Sequence, residues 1–147
     1  MKYAYKFKIR FGDTDAYGMV HHSNYYNYFE EVRFHFSADF LGFSERLANE
    51  STVKFPVITS SCTYKNPLKF SLNYYIIELE MRMIDVSMLE FTYTLKDENR
   101  KKIYAYGKTV HAFVNEHNKL CLELPEWLKE KIQLLSNEQT EEIIKWN

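Results

Sequence analysis

Ser23-Asn24-Tyr25-Tyr26-Asn27-Tyr28-Phe29-Glu30-Glu31-Val32-Arg33-Phe34-His35-Phe36-Ser37-Ala38-Asp39-Phe40-Leu41-Gly42 is the stretch on which the fold turns. Its large side chains Tyr25, Phe29, Val32, Phe36 and Phe40 recur at steps of three or four and make one stripe, widened by Tyr28. That is the period of a helix burying one face. Glu30, Glu31 and Arg33 lie towards other faces. Gly42 follows the last turn, a position where glycine closes helices. The spacing predicts one long helix from about Ser23 to Leu41, and a helix so striped needs a second apolar surface to cover it.

The flanking sequence supplies that surface. Tyr3, Tyr5, Phe7, Ile9 and Phe11 alternate with Lys6, Lys8 and Arg10, the period of a half-buried strand. Downstream of the helix, Glu45 to Val53 is polar and reads as a helical turn followed by a loop. Four more strands are expected. Phe55 to Asn66 is rich in Val, Ile, Thr and Ser and stops at Asn66-Pro67, a turn signal. Ile77, Leu79, Met81 and Met83 alternate with charged residues, and so do Leu89, Phe91, Tyr93 and Leu95 with Glu90, Thr92 and Thr94. In Ile103 to Val114, the residues Tyr104, Tyr106, Val110, Ala112 and Val114 fall on one face. Short links at Asp85-Val86-Ser87 and Asp97-Glu98-Asn99-Arg100 predict an antiparallel meander. Pro125 suits a first helical position, and Ser136-Asn137-Glu138-Gln139 fits a capping box, so the tail from about 125 reads as helical. Together these elements predict a single α+β domain over residues 1–147, one long helix against an antiparallel sheet of about five strands. Open sheet edges and Tyr-rich strands favour association into a dimer or larger assembly.

Composition narrows the function classes. Apolar residues make up 46% and charged residues 27% of the 147, so the chain has a core to bury and does not read as disordered. Lys and Arg number 19 against 20 Asp and Glu. That balance supplies no strong field to draw in nucleic acid or anionic lipid. No apolar run reaches the length of a membrane span or a signal peptide. Cys62 and Cys121 lie far apart without metal-ligand spacing and read as free thiols of a cytoplasmic protein.

Chemistry concentrates in Arg10-Phe11-Gly12-Asp13-Thr14-Asp15-Ala16-Tyr17-Gly18-Met19-Val20-His21-His22-Ser23-Asn24-Tyr25. Two carboxylates stand just upstream of a helix start, where unpaired N–H groups point outward. A carbonyl oxygen aimed at those N–H groups would be polarised, so acid plus helix N-terminus is an acyl-transfer arrangement. On residue types alone, Asp before a helix is also the usual cap. An EF-hand reading of Asp13-x-Asp15-x-x-Gly18 fails, because Tyr17 and Asn24 occupy ligand positions. Adjacent His21 and His22 project apart and are poor partners for one metal ion. No nucleophilic Ser motif, phosphate loop or zinc spacing is present, and no metal or cofactor is expected.

Arg10-Phe11-x-Asp13-x-Asp15-x-x-Gly18-x-Val20-x-x-x-x-Tyr25-x-x-x-x-Glu30-x-x-Arg33 resembles the signature of the 4-hydroxybenzoyl-CoA thioesterase-like family of hotdog-fold proteins. Tyr64-x-x-Pro67, two hairpins and Ala112-Phe113-Val114 before Leu124-Pro125 extend the resemblance over roughly residues 3 to 128. It implies a long helix wrapped by an antiparallel sheet and hydrolysis of an acyl-CoA thioester to a free acid and a thiol. Asp15 takes the position of the family's catalytic carboxylate, as nucleophile or general base. His22 lends its backbone N–H to the thioester oxygen. Asp13 braces the turn, and Tyr25 lies under the bound substrate. Glu30 and Arg33 stand at the spacing of a helical ion pair. The resemblance also implies a homodimer or homotetramer with each site at a subunit boundary, and basic residues under the nucleotide phosphates.

Here the sequence departs from the pattern. Asp85-Val86-Ser87 occupies a turn where some relatives carry Arg or Lys. Lys65, with Lys69, Arg100, Lys101 and Lys102, is left as the candidate phosphate contact, and an acyl-carrier-protein thioester stays open as substrate. Two rivals belong to other classes. One is a non-enzymatic module that binds an acyl thioester or a partner, since fold does not imply function. The other is a dehydratase or hydratase using His22 and Glu30 across a subunit boundary.

Overall fold

The computed structural model describes residues 2–43, 53–137 and 143–146. Strand β1 (Tyr3–Lys8) leads through a short 3-10 turn (Phe11–Asp13) to helix α1 (His22–Phe36). A π-helical turn (Ser37–Leu41) extends α1 to Gly42. Strands β2 (Val57–Tyr64), β3 (Tyr74–Asp85), β4 (Met88–Asp97) and β5 (Ile103–Ala112) follow, then helix α2 (Glu126–Asn137) and strand β6 (Ile143–Trp146). The sheet order is β2-β5-β4-β3-β1-β6. β1 to β5 pair antiparallel, as expected, and the sheet wraps the long helix in the hotdog manner. β6 adds a sixth strand parallel to β1, where the sequence pointed only to a helical tail. The tail's helical part is α2, preceded by Pro125. Ser136 lies in the last turn of α2, its hydroxyl donating to Ile132 O at 2.9 Å. Glu138 and Gln139 of the expected capping box lie outside the described residues. So does nearly all of the segment Glu45 to Val53.

The aromatic stripe buries as its period requires. Tyr25, Tyr28, Phe29, Val32 and Phe36 are buried against the sheet. Phe29 stacks on Tyr93 with centroids 4.7 Å apart, and Phe36 meets Phe91 edge-on at 5.8 Å. Phe40 is only half-buried, because the extra residue of the π-turn rotates the stripe and brings Leu41 inward instead.

Two strand readings are corrected. The inward face of β5 is Ala105, Gly107, Thr109 and His111, the opposite parity to the expected Tyr104 and Tyr106. Helix α1 lies so close there that a Cβ at Gly107 would sit 2.3 Å from Phe29 Cε2. Small residues are therefore forced inward and the large tyrosines outward. In β1 both faces are buried up to Lys8, and β3 and β6 pair with its two edges. Lys6 is held there by Glu98, with its ammonium 4.5 Å from the Tyr74 ring centroid. Phe11, expected on the inner face, has left the strand and is 76% exposed. Among the described residues no helix is long and apolar enough to cross a membrane.

Candidate active site

The segment Arg10–Tyr25 folds into two nested turns, each organised by one aspartate. Asp13 is buried, and its Oδ2 accepts from Tyr28 O–H at 2.8 Å and Arg10 N–H at 3.1 Å. Its backbone oxygen accepts from His21 N–H (2.9 Å) and Asn24 Nδ2 (2.8 Å). Three of these four bonds, from Tyr28, His21 and Asn24, tie the 3-10 turn to α1 and its cap, so Asp13 is a buried brace of the turn. Burial first, then Asp13 itself, holds the Tyr28 phenol protonated far above its ordinary range.

Asp15 sits differently. Its Oδ1 accepts from Tyr17 N–H at 2.8 Å and Met19 N–H at 3.2 Å. Its own N–H donates to Met19 O, and its carbonyl accepts from Gly18 N–H. Gly18 closes this turn at φ 71°, a conformation that favours glycine. Among the described residues nothing bonds Oδ2. Half the carboxylate is fixed by backbone and the other half is presented.

His22 is the first residue of α1, with His21 as cap. His21 O accepts from Asn24 N–H at 2.9 Å, and His21 Nδ1 accepts from Ser23 N–H at 3.4 Å. Those bonds occupy two of the orphan donors of the first turn. The His22 N–H has no acceptor among the described residues. The His22 imidazole is exposed and lies 4.2 Å, centroid to centroid, from that of His21.

Asp15, His22, Tyr25 and Lys65 all line one cavity of about 310 Å³. Tyr25 is 3% exposed, meets Tyr64 edge-on at 4.8 Å, and has its phenol pushed up to about 12 by burial. It forms a floor and is no base at neutral pH. Lys65 stands at the rim, its ammonium 5.8 Å from the Tyr106 ring centroid. Lys69, Arg100, Lys101 and Lys102 do not line this cavity. Arg100 lies 3.8 Å from Glu78, and Lys102 lies over Tyr104. Glu30 and Arg33 form no ion pair with each other and line a second cavity farther along α1. Tyr64 and Asn66 are cavity residues to which the sequence reading gave no role. Tyr64 O–H donates to His22 O at 3.3 Å, which ties β2 to the helix start. The only prior signal was Tyr64's place in the Tyr64-x-x-Pro67 pattern. Among the described residues no His, Cys, Asp or Glu cluster converges in a way that would hold a metal ion.

A carboxylate and an unpaired helix-start N–H on residues that line one cavity suit addition to a carbonyl: the donor stabilises charge building on oxygen while the carboxylate attacks or activates water. The sequence profile of the thioesterase-like superfamily matches residues 9–132. A protein of Aquifex aeolicus, provisionally described as an esterase, is 28% identical over 137 residues, covering 93% of this chain and all of its own. A 1,4-dihydroxy-2-naphthoyl-CoA hydrolase of Prochlorococcus marinus is 25% identical over 138 residues, 87% of each chain. The solved structure of a gentisyl-coenzyme A thioesterase superposes with a TM-score of 0.72 at 26% identity, over 86% of this chain and 98% of its own.

Proposed function

Because the chain belongs to the thioesterase-like superfamily, we propose that it hydrolyses an acyl-CoA thioester to a free acid and a thiol. The observation that carries this is that Asp15, its Oδ2 unbonded among the described residues, and His22, its N–H likewise unbonded, line the same cavity. The thioester oxygen accepts from the His22 N–H. Asp15 either adds to the carbonyl carbon, to be released by water, or takes a proton from the attacking water. The sulfur leaves with a proton as the thiol. Tyr25 supports the acyl-thioester arm from below and Lys65 meets the anionic part of the thiol carrier. The motif from Arg10 to Arg33 favours the 4-hydroxybenzoyl-CoA thioesterase-like branch. The two relatives named for hydroxylated aromatic thioesters favour an acyl group of that class.

We further propose a homodimer or homotetramer built on the β2 edge. β2 pairs on one side only and leaves Val57, Ile58 and Tyr64 exposed; such an edge is a template for pairing. Cytoplasmic placement agrees with Cys62 and Cys121 as free thiols. The test is Asp15→Asn assayed for thiol release across acyl-CoAs and acyl-carrier-protein thioesters. The expected loss is at least ~10²-fold with the thermal midpoint unchanged, as for removal of a positioned catalytic group. Near-normal turnover refutes the role of Asp15.

A further inference from the structure

The net charge of −1 conceals a segregation. Because β1 to β5 pair antiparallel, the last residues of β1 and β4 and the first of β3 and β5 meet at one end of the sheet. The turn of Asp15, which follows β1, belongs to the same end. Lys8, Arg10, Lys69, Lys101 and Lys102 stand exposed there. The neighbouring carboxylates are engaged locally. Asp13 is buried, Asp15 lines the hydrolytic cavity, Asp97 accepts from Lys102 N–H at 2.6 Å, and Glu98 holds Lys6.

This end also holds large apolar side chains in water. Phe11 is 76%, Tyr17 83%, Phe70 40% and Leu72 79% exposed. Phe11 meets Phe70 edge-on at 5.5 Å, and Met19 pairs with Lys69, so segments 10–19 and 65–73 form one surface. Tyr75 joins that surface to the β4–β5 turn. Its hydroxyl bonds Ser71 at 2.9 Å, its ring meets Tyr104 at 5.5 Å, and the Lys102 ammonium lies over Tyr104. β4 and β5 lie between β3 and the β2 edge, so subunit pairing through that edge does not require this surface. Apolar groups gathered on a surface and rimmed by charge mark a site of contact.

Two features select the occupant. Phe11, Tyr17, Phe70 and Leu72 do not line the hydrolytic cavity but stand out from turns. They suit insertion into a deformable apolar phase more than the filling of a shaped pocket. The cations flank them, as a negatively charged plane requires. Phe and Leu beside Lys and Arg is the composition by which proteins settle at a lipid interface. We propose that this end of the sheet docks on an anionic lipid bilayer. Phe11, Phe70 and Leu72 enter the headgroup region, and Lys8, Arg10, Lys69, Lys101 and Lys102 lie over the lipid phosphates. The hydrolytic cavity takes its walls from both segments, with Asp15 and Met19 from one and Pro67 and Leu68 from the other. Docking therefore brings its mouth to the bilayer, where a thioester with an apolar or aromatic acyl group gathers. That last step rests on the thioesterase reading; the docking does not.

The experiment sediments the full chain with vesicles of mixed phosphatidylglycerol and phosphatidylcholine, and with vesicles of phosphatidylcholine alone. Binding to the mixed vesicles is expected to be at least ~10-fold tighter, since each Lys or Arg near an anionic surface adds attraction. It should weaken as salt rises from ~0.1 to ~0.5 M. Phe11→Ser combined with Leu72→Ser should weaken it at least ~10-fold, the order of two apolar side chains withdrawn from insertion. Both side chains are exposed, so the thermal midpoint and thiol release from a water-soluble short-chain acyl-CoA should match wild type. Lys101→Glu combined with Lys102→Glu should weaken binding to the mixed vesicles alone. Asp15→Asn should sediment as wild type, which separates this proposal from failure of the hydrolytic one. Absence of vesicle binding, equal binding to neutral vesicles, or indifference to Phe11→Ser with Leu72→Ser overturns the proposal. So does self-association in gel filtration that the same pair abolishes, in place of vesicle binding, because a second copy then covers the surface. Retention on acyl-carrier protein without retention on vesicles overturns it too, and assigns the surface to an acidic protein.

Discussion

The two ends of α1 hold cavities of similar size built by opposite means. At the N-terminal end the polar groups come largely from one run of chain, and most of their partners are backbone atoms within a few residues: Asp15 with Tyr17 and Met19, His21 with Ser23 and Asn24. At the C-terminal end Arg33, Tyr93, Thr109 and His111 come from a helix and two strands, and side chain meets side chain. A site of the first kind is fixed by local turn geometry. A site of the second kind exists only once the helix has docked on the sheet. The first end therefore survives small shifts of the sheet, and the second does not.

The largest perturbation strikes the docking itself. Gly107→Ala places a methyl 2.3 Å from Phe29 Cε2, a buried ring that cannot swing away. Overpacking of this kind is expected to cost about 3 kcal/mol. It should also loosen the bond between Arg33 and Tyr93, leaving the turn around Asp15 less affected. Denaturant unfolding measures the first effect, and the pH dependence of unfolding that buried His111 gives, set against thiol release, measures the second. Equal damage at both ends would break the contrast. Next in size is Tyr28→Phe, which removes one of the bonds to the buried Asp13 carboxylate. A charged acceptor left short of a partner costs about 2 kcal/mol. Turnover should fall with stability here, since Asp13 ties the turn to α1.

This contrast also explains what was legible in the sequence. The period of Tyr25 to Phe36, the cap at Gly42 and the meander of β3 to β5 are local patterns, and each appears in the structure. Asp15, His22, Tyr25 and Lys65, singled out from motif and resemblance, line one cavity. The inward parity of β5 was not legible, because a strand with tyrosines on one face and small residues on the other ordinarily buries the tyrosines. Only the close approach of Phe29 to Gly107 inverts that order. The pairing of β6 with β1 joins the two ends of the chain, and no local signal in Ile143 to Trp146 specifies it. His111 carried no motif because its meaning lies in its neighbours Thr109 and Phe55.

A pH titration sharpens the comparison at the C-terminal end. His111 is 1% exposed, and burial lowers its folded value to about 4 from an ordinary 6.5. Between these values the unfolded chain binds a proton that the folded chain refuses. The stabilisation is therefore complete above about pH 6.5, falls as pH drops towards 4 and is flat below. The slope in that window approaches ~1.4 kcal/mol per pH unit, the limit for one proton. His111→Gln should flatten it in thermal unfolding. Glu90 acts in a lower window. Arg82 and Lys108 hold its carboxyl below the usual 4.5, so its contribution is lost only as pH falls beneath that value. A wild-type curve level from pH 6.5 to 4.5 would contradict the neutral, buried imidazole.

The smallest expected effect lies at the rim of the hydrolytic cavity. Lys65 has an exposed side chain whose one described contact is the Tyr106 ring at 5.8 Å. An exposed contact of that kind contributes about 0.5 kcal/mol, so Lys65→Ala should barely move the unfolding midpoint. If its ammonium meets phosphate only when the thiol carrier binds, KM should rise about threefold with kcat unchanged, the signature of uniform binding lost. Added salt should shrink the difference between variant and wild type, because a rim charge is screened within about 10 Å at ~0.1 M. A fall in kcat instead would move Lys65 from the rim to the reacting atoms. The catalytic end would then also depend on a side chain from beyond its own run of sequence, and the contrast between the two ends would narrow.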